Sequence, residues 1–166
     1  MNRNGSEGKY LIFSMNGQEF GIGISQIREI IQYMEPTPVP SSPDFLRGLI
    51  NLRGQVMPVF DLRVIFSAPS QQTERACIVI AEIRREGAHR PMGFIVDSVS
   101  EVIQVKEEEI EPLSSLGGYM NFSFMVGIAK SEEGTKILLD LANVLSLEKT
   151  MSPTETWMSH LGESLG

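Results

Sequence analysis

The chain has 166 residues, of which 42% are apolar and 21% charged, the balance of a sequence that folds and buries a core as one large domain or two small ones. A formal charge of −7 and a sequence pI near 4.9 argue against a duplex nucleic-acid binder, which shows phosphates a basic face, and against a polybasic membrane-surface protein. One cysteine excludes an intrachain disulfide, and no stretch nears the ~20 apolar residues of a membrane span, so the expectation is an acidic cytosolic globule without membrane insertion.

Residues 1–8 are polar and Gly-containing and are expected to be disordered. "KYLIFSMNGQEFGIGI" holds two alternating runs around Asn16-Gly17, the dipeptide that tolerates the positive φ of a type I′ hairpin turn. Phe20, Ile22 and Ile24 share one face of the second run. In "SQIREIIQY" the spacing turns helical: Ile27, Ile30 and Ile31 stand at i, i+3 and i+4 after Ser25 as N-cap, which predicts a short helix. Pro36, Pro38, Pro40 and Pro43 then exclude a helix interior or a central strand and predict an extended connector or edge. Arg47 to Leu62 reads as two strands turning at Gly54, which takes φ > 0. Pro58 belongs on an edge or at a bulge, and Arg63 caps or solvates the closing turn. "SAPSQQTE" is the linker candidate.

The second half begins with "RACIVIAEI", a strand in which Cys77 is a small core hydrophobe rather than a nucleophile. "RREGAHRP" reads as a loop, and "MGFIVDSVSEVIQV" as one bent strand or two. "KEEEIEP" and "LSSLGGYMNFS" read as loops. "FMVGIAKS" and "TKILLD" form a hairpin around Glu132 to Gly134, and "LANVLS" a short helix. Roughly ten short strands with frequent turn signals indicate an all-β fold of sandwiches or small barrels. In the tail, Ser152, Pro153 and Glu155 mark a helix start, and Trp157, Met158 and Leu161 give it an apolar face, for its own barrel or for a partner.

Catalytic chemistry finds little support. His89 and His160 are the two histidines, one in a loop and one in the tail, and no cluster has metal-ligand spacing. Gly134-Thr135-Lys136 lacks the upstream glycine of a phosphate loop. Glu107, Glu108, Glu109 and Glu111 read as a solvated run. Asn121-Phe122-Ser123 matches a glycosylation sequon by chance. What remains is a binding protein without cofactor. An OB-like oligonucleotide binder would need aromatics on a basic groove, yet Phe13, Phe20, Phe60 and Phe94 fall at core positions. A small enzyme is the weakest alternative.

Four segments in order, "YLIFSMNGQEFGIGISQIREII", "FLRGLINLRGQVMPVFDLR", "GFIVDSVSEVI" and "FMVGIAK…ILLDLANVL", resemble the CheW family, the coupling proteins of bacterial chemotaxis. The resemblance runs from about Lys9 to Leu147. It implies two five-stranded SH3-like barrels on a shared hydrophobic seam, with approximate subdomains 9–68 and 74–147, terminal strands exchanged or not, and a tail at 148–166. It implies a stand-alone, non-catalytic adaptor, monomeric in solution. Such a protein bridges the cytoplasmic tip of methyl-accepting chemoreceptors and the CheW-like regulatory domain of a CheA-type histidine kinase in membrane-associated arrays. Carried over by position, Ile27, Glu29, Gly48, Arg53 and Val102 belong to receptor binding or coupling, and Tyr33, Thr37, Val39 and Arg47 to the kinase-facing surface, with a second contact around Leu116 to Phe122. Gly48 permits close backbone approach in either case. Ile27 and Val102 read equally as plain core. Arg53 either reaches a receptor carboxylate or pairs with Glu29 to hold helix and hairpin in register; its planar guanidinium favours the pair at a partly buried seam.

Overall fold

The computed structural model describes residues 7–66, 68, 73–85, 87–112, 123–132 and 134–146. Of the residues expected to be disordered, 1–6 lie outside the described residues and Gly8 instead opens the first strand; the contact around 116–122 and the tail helix also lie outside them. Strands β1 (Gly8–Met15), β2 (Gln18–Gly23), β3 (Ile27–Gln32), β4 (Leu46–Leu52) and β5 (Gln55–Asp61) are followed by helix α1 (Leu62–Ile65). After it come β6 (Cys77–Arg85), β7 (Ala88–Val96), β8 (Ser98–Val105), β9 (Ile110–Glu111), β10 (Met125–Ser131), β11 (Gly134–Leu139) and helix α2 (Leu141–Ser146). The fold is all-β: a six-stranded sheet ordered β8-β1-β2-β11-β10-β9 and a five-stranded sheet ordered β3-β6-β7-β5-β4. Each sheet takes strands from both sides of the expected linker.

Apolar side chains sort into three layers. One cluster, with Ile50, Met57, Val59, Ile78, Ile80 and Ile95, fills the five-stranded body. Another, with Tyr10, Ile12, Val105, Ala129 and Leu138, fills the six-stranded body. The largest lies between them and takes Leu11, Phe13, Phe20 and Ile22 from one sheet and Phe60, Val79, Phe94 and Val96 from the other, closed by Val144 and Leu145 of α2. Every second residue of β1 therefore faces its own body, and the intervening ones face the seam. Phe13, Phe60 and Phe94 are almost fully buried, and Phe60 meets Phe45 and Phe94 at ring-centroid distances of 6.1 and 5.9 Å, within the range where aromatic pairs attract.

The Asn16-Gly17 turn has φ of 53° and 81°, as the hairpin reading requires. Gly54 has φ 89°, but Arg53 before it also stands at φ 53°, so the turn is a two-residue one between Leu52 and Gln55. Pro58 sits in the part of β5 that pairs only with β4; β7 joins from Val59 onward.

Three expectations need correction. Residues 27–32 are a strand, not a helix. A bulge between Ile27 and Glu29 lets Ile27 oppose Ala81 and Ile30 oppose Val79, so an apolar spacing of three arises from a strand carrying one extra residue. "RREGAHRP" is no loop: β6 and β7 pair through to Arg85 and Ala88. Within "KEEEIEP", residues Glu107–Glu109 form a single 3₁₀ turn and Ile110–Glu111 a short strand.

Arg63 is the larger surprise. Instead of facing solvent it is fully buried. Its Nε and Nη2 donate to the two carboxylate oxygens of Asp61 at 2.8 and 3.0 Å, and its Nη1 donates to Asp97 Oδ1 at 3.2 Å. Asp61, also fully buried, caps α1 by accepting the Arg63 backbone N–H and accepts from Arg47 Nη1 at 3.3 Å. Burial pulls the Arg63 guanidinium down, but hydrogen bonds and charge from Asp61 and Asp97 outweigh it and hold the group above its ordinary range.

Replacing Arg63 by Met would strand the buried Asp61 carboxylate opposite Arg47 alone, and should cost about 3–5 kcal/mol in urea denaturation. Gly48→Ala should be comparably severe, at about 3 kcal/mol or more: φ is 142° and an added Cβ would lie 2.1 Å from the Thr37 carbonyl oxygen. Gly54→Ala, with φ 89° but nothing within 4 Å, should lose only about 1–2 kcal/mol.

Candidate functional site

Large apolar side chains left in solvent are the residues a compact fold has least reason to expose. Ile24, Ile30 and Val102 are 41, 42 and 47% exposed, and all three border the seam. Val102 opposes Leu11 and Ile30 opposes Val79; directly opposed residues share a face, and Leu11 and Val79 belong to the seam cluster. Both side chains sit on outer strands, β8 and β3, each the margin of its sheet. Ile24 lies in the one-turn segment Ile24–Gln26, which touches both β1 and β6. Ile27 is half-buried against the seam. The hydrophobic layer that joins the two bodies thus runs out to the surface at its margins.

Glu29 and Arg53 are joined by a salt bridge through Glu29 Oε2 and Arg53 Nη2. Arg53 remains 68% exposed at its side chain, so the pair sits on the surface rather than in a partly buried seam, and it joins strand to hairpin rather than helix to hairpin. Beside it Arg28 Nη1 donates to Gln55 Oε1 at 3.1 Å and pairs with Glu82 at 3.1 Å. β3 and β4 are the two outer strands of the five-stranded sheet, and these side chains close that gap. Gly48 faces the Thr37 backbone, where Thr37 and Leu49 exchange N–H···O bonds of 2.8 and 2.9 Å.

The four residues expected on the kinase-facing surface have different surroundings. Tyr33 is half-buried, donates to Glu35 Oε1 at 3.0 Å and lies against Arg47; burial first, then the Glu35 hydrogen bond, pushes its phenol up. Thr37 is exposed at the bridge to Leu49. Val39 packs against the seam. Arg47 is half-buried, with its guanidinium on Asp61. Tyr33 and Arg47 are therefore neighbours, whereas Val39 faces inward.

Ile24, expected on one strand face with Phe20 and Ile22, instead lies past the end of β2 in a one-turn segment and is exposed. Sequence reasoning did not single out Ile30 as a surface residue, because a helical reading of 25–33 gives no strand face to place it on. It also missed the Asp61–Arg63–Asp97 cluster: Asp61 and Arg63 are two residues apart, but Asp97 lies 34 positions beyond Arg63 with nothing local to link it to them. Among the described residues no group of His, Cys, Asp and Glu could hold a metal, and no helix is long and apolar enough to cross a membrane. Cys77 is half-buried, its thiol pushed up by burial and only partly offset by the Val99 backbone.

Residues 9–149 match the CheW-like domain family. The chemotaxis protein CheW of Klebsiella aerogenes is 31% identical over 152 residues, covering 92% of this chain and 90% of that one. CheW of Bacillus subtilis is 38% identical over 104 residues, 62% of this chain and 64% of that one. The crystal structure of the scaffolding protein TtCheW from Thermoanaerobacter tengcongensis superposes with a TM-score of 0.73 at 32% identity, covering 83% of this chain and 92% of that one.

A double-mutant cycle with Glu29→Gln and Arg53→Gln should give a coupling of about 0.3–1 kcal/mol in stability. That coupling should shrink at high salt, as expected of an exposed pair. A coupling indistinguishable from zero at low salt would remove the pair as a structural device.

Proposed function

The chain belongs to the CheW-like domain family, and from that membership and its exposed apolar margin we propose how it acts as a non-catalytic scaffold of bacterial chemotaxis. One face takes a helix of the cytoplasmic tip of a methyl-accepting chemoreceptor, and another takes the CheW-like regulatory domain of a CheA-type histidine kinase. Recruitment to the membrane comes from these two contacts. The observation that carries the reading is the exposure of Ile24, Ile30 and Val102 beside a continuous seam.

An amphipathic helix docks by laying its i, i+3, i+4 and i+7 side chains into an apolar trough. We assign the two walls of that trough to β3, with Ile27 and Ile30, and to β8, with Val102, and its floor to the seam. The Glu29–Arg53 pair then stands beside β3's apolar side chains as a polar rim, where charge sets register and encounter rate more than affinity. Gly48 keeps the 34–46 connector close against β4, and Tyr33, Thr37 and Arg47 present the neighbouring edge to the kinase. Val39 supports that edge from beneath. An adaptor of this kind transmits signal because each partner's binding free energy depends on the state of the other.

In reconstituted membranes carrying receptor and kinase, the purified protein should restore receptor control over kinase activity. Kinase output that ignores receptor ligand, with the partners verified, would overturn the reading. Ile30→Asp and Val102→Asp should each weaken binding of a receptor-tip fragment by about tenfold or more. Stability should fall by no more than about 1–2 kcal/mol, since each side chain is only half covered. Unchanged affinity in both variants would move the receptor site elsewhere.

A further inference from the structure

The buried ion cluster reaches beyond the sheet that holds it. Arg47 stands on β4, whose tip closes on β3 through Arg53 and Glu29, and the Tyr33 phenol, one residue past the end of β3, lies against Arg47. From Arg47 the contacts pass to Asp61 at 3.3 Å, from Asp61 to Arg63 at 2.8 Å, and from Arg63 to Asp97 at 3.2 Å. Asp97 is the one residue between β7 and β8. Its N–H donates to the Ser14 carbonyl at 3.1 Å, and its Oδ2 accepts the Asn16 N–H at 2.7 Å, so it binds the β1–β2 hairpin of the other sheet. One end of the series meets the strand carrying Ile27 and Ile30, and the other the start of the strand carrying Val102.

We propose that the series Arg47–Asp61–Arg63–Asp97 is a crossbar fixing the placement of β3 relative to β8, and that Arg63 is thereby a positioning residue for the helix-binding trough. This rests on the assignment of β3 and β8 as trough walls made above. Two guanidinium groups balance two carboxylates, and Asp61 and Arg63 are wholly out of water, so displacing either of these two strips the other of its main partner inside the fold. A planar fork can span two carboxylates at once; a lysine ammonium in its place cannot. Besides the chain connections β2–β3 and β7–β8, the sheets share the apolar seam, whose packing is non-directional. The crossbar adds direction.

The test uses ¹⁵N-labelled full-length protein and reads each end of the crossbar from the other. Arg47→Gln should shift the Val102 amide resonance, and Asp97→Asn the Ile27 amide, while Thr135 and Lys136 stay in place. Both variants keep the Asp61–Arg63 pair and so should fold; Arg63→Lys, where it folds, should move both amides. Each variant should also weaken binding of a receptor-tip fragment about three- to tenfold, although none of the substituted residues lies in the trough. A cluster serving stability alone would lower Tm while leaving the cross-read amides and the affinity unmoved, and that result overturns the proposal. Failure of the wild type to bind the fragment would count against the trough itself; the amide shifts would still decide for or against the crossbar.

Discussion

Each of the two curved sheets has two faces to bury, and a body of five or six short strands can enclose only one of them. The second face of each is covered by the other sheet, and this sharing is the constraint from which the rest follows. Removing either body would leave Phe13, Phe20 and Ile22, or Phe60, Val79 and Phe94, against water. At roughly 1.5–3 kcal/mol per large apolar side chain, no small domain could tolerate that when its net stability is only about 5–15 kcal/mol. The bodies are therefore obligate partners within one chain. A shared layer must also end somewhere, and where it ends its outermost side chains lie half in solvent.

That geometry reconciles two demands on the same residues. Ile27 packs against the seam and stands in the wall of the proposed trough, so the core reading and the proposed binding-surface reading concern one side chain at the margin of one layer. Polar groups then organise what the apolar layer cannot. Arg53, Glu29, Arg28 and Gln55 close β3 onto the hairpin tip, and the Arg63 cluster holds the junction between β7 and β8 against the β1–β2 hairpin. The first group lies largely in solvent; the second is desolvated at Asp61 and Arg63.

Much of the fold was legible in the sequence because its signals are local. Alternation around Asn16-Gly17, the turn at Gly54, the proline-bearing connector and the buried run at Cys77 each depend on neighbours within a few residues. The misreadings have a common cause. In β3 a bulge converts the two-residue period into a spacing of three, and a helical template fits such a spacing equally well. In "RREGAHRP" polar composition concealed a hairpin whose pairing is made by backbone groups indifferent to side chains. Arg63 was opaque for a different reason: Asp61 lies two residues before it, but Asp97 and the burial that shuts out water come only once the fold exists. Of the proposed site, the resemblance could name candidate residues in advance. Their contacts were not legible, since whether Arg47 meets Asp61 or solvent is decided by tertiary packing.

Arg53 occupies the left-handed region at φ 53°, where asparagine or glycine would sit more comfortably by about 1 kcal/mol. The hairpin tip therefore does not carry the residue that its own turn would choose. The arginine at this place, with most of its side chain in water and one edge on Glu29, sets the strain of its turn against the ion pair it makes. Replacing it would relax the turn and give up the ion pair to Glu29 in the same step, and under the proposed function would also remove the guanidinium offered at that rim.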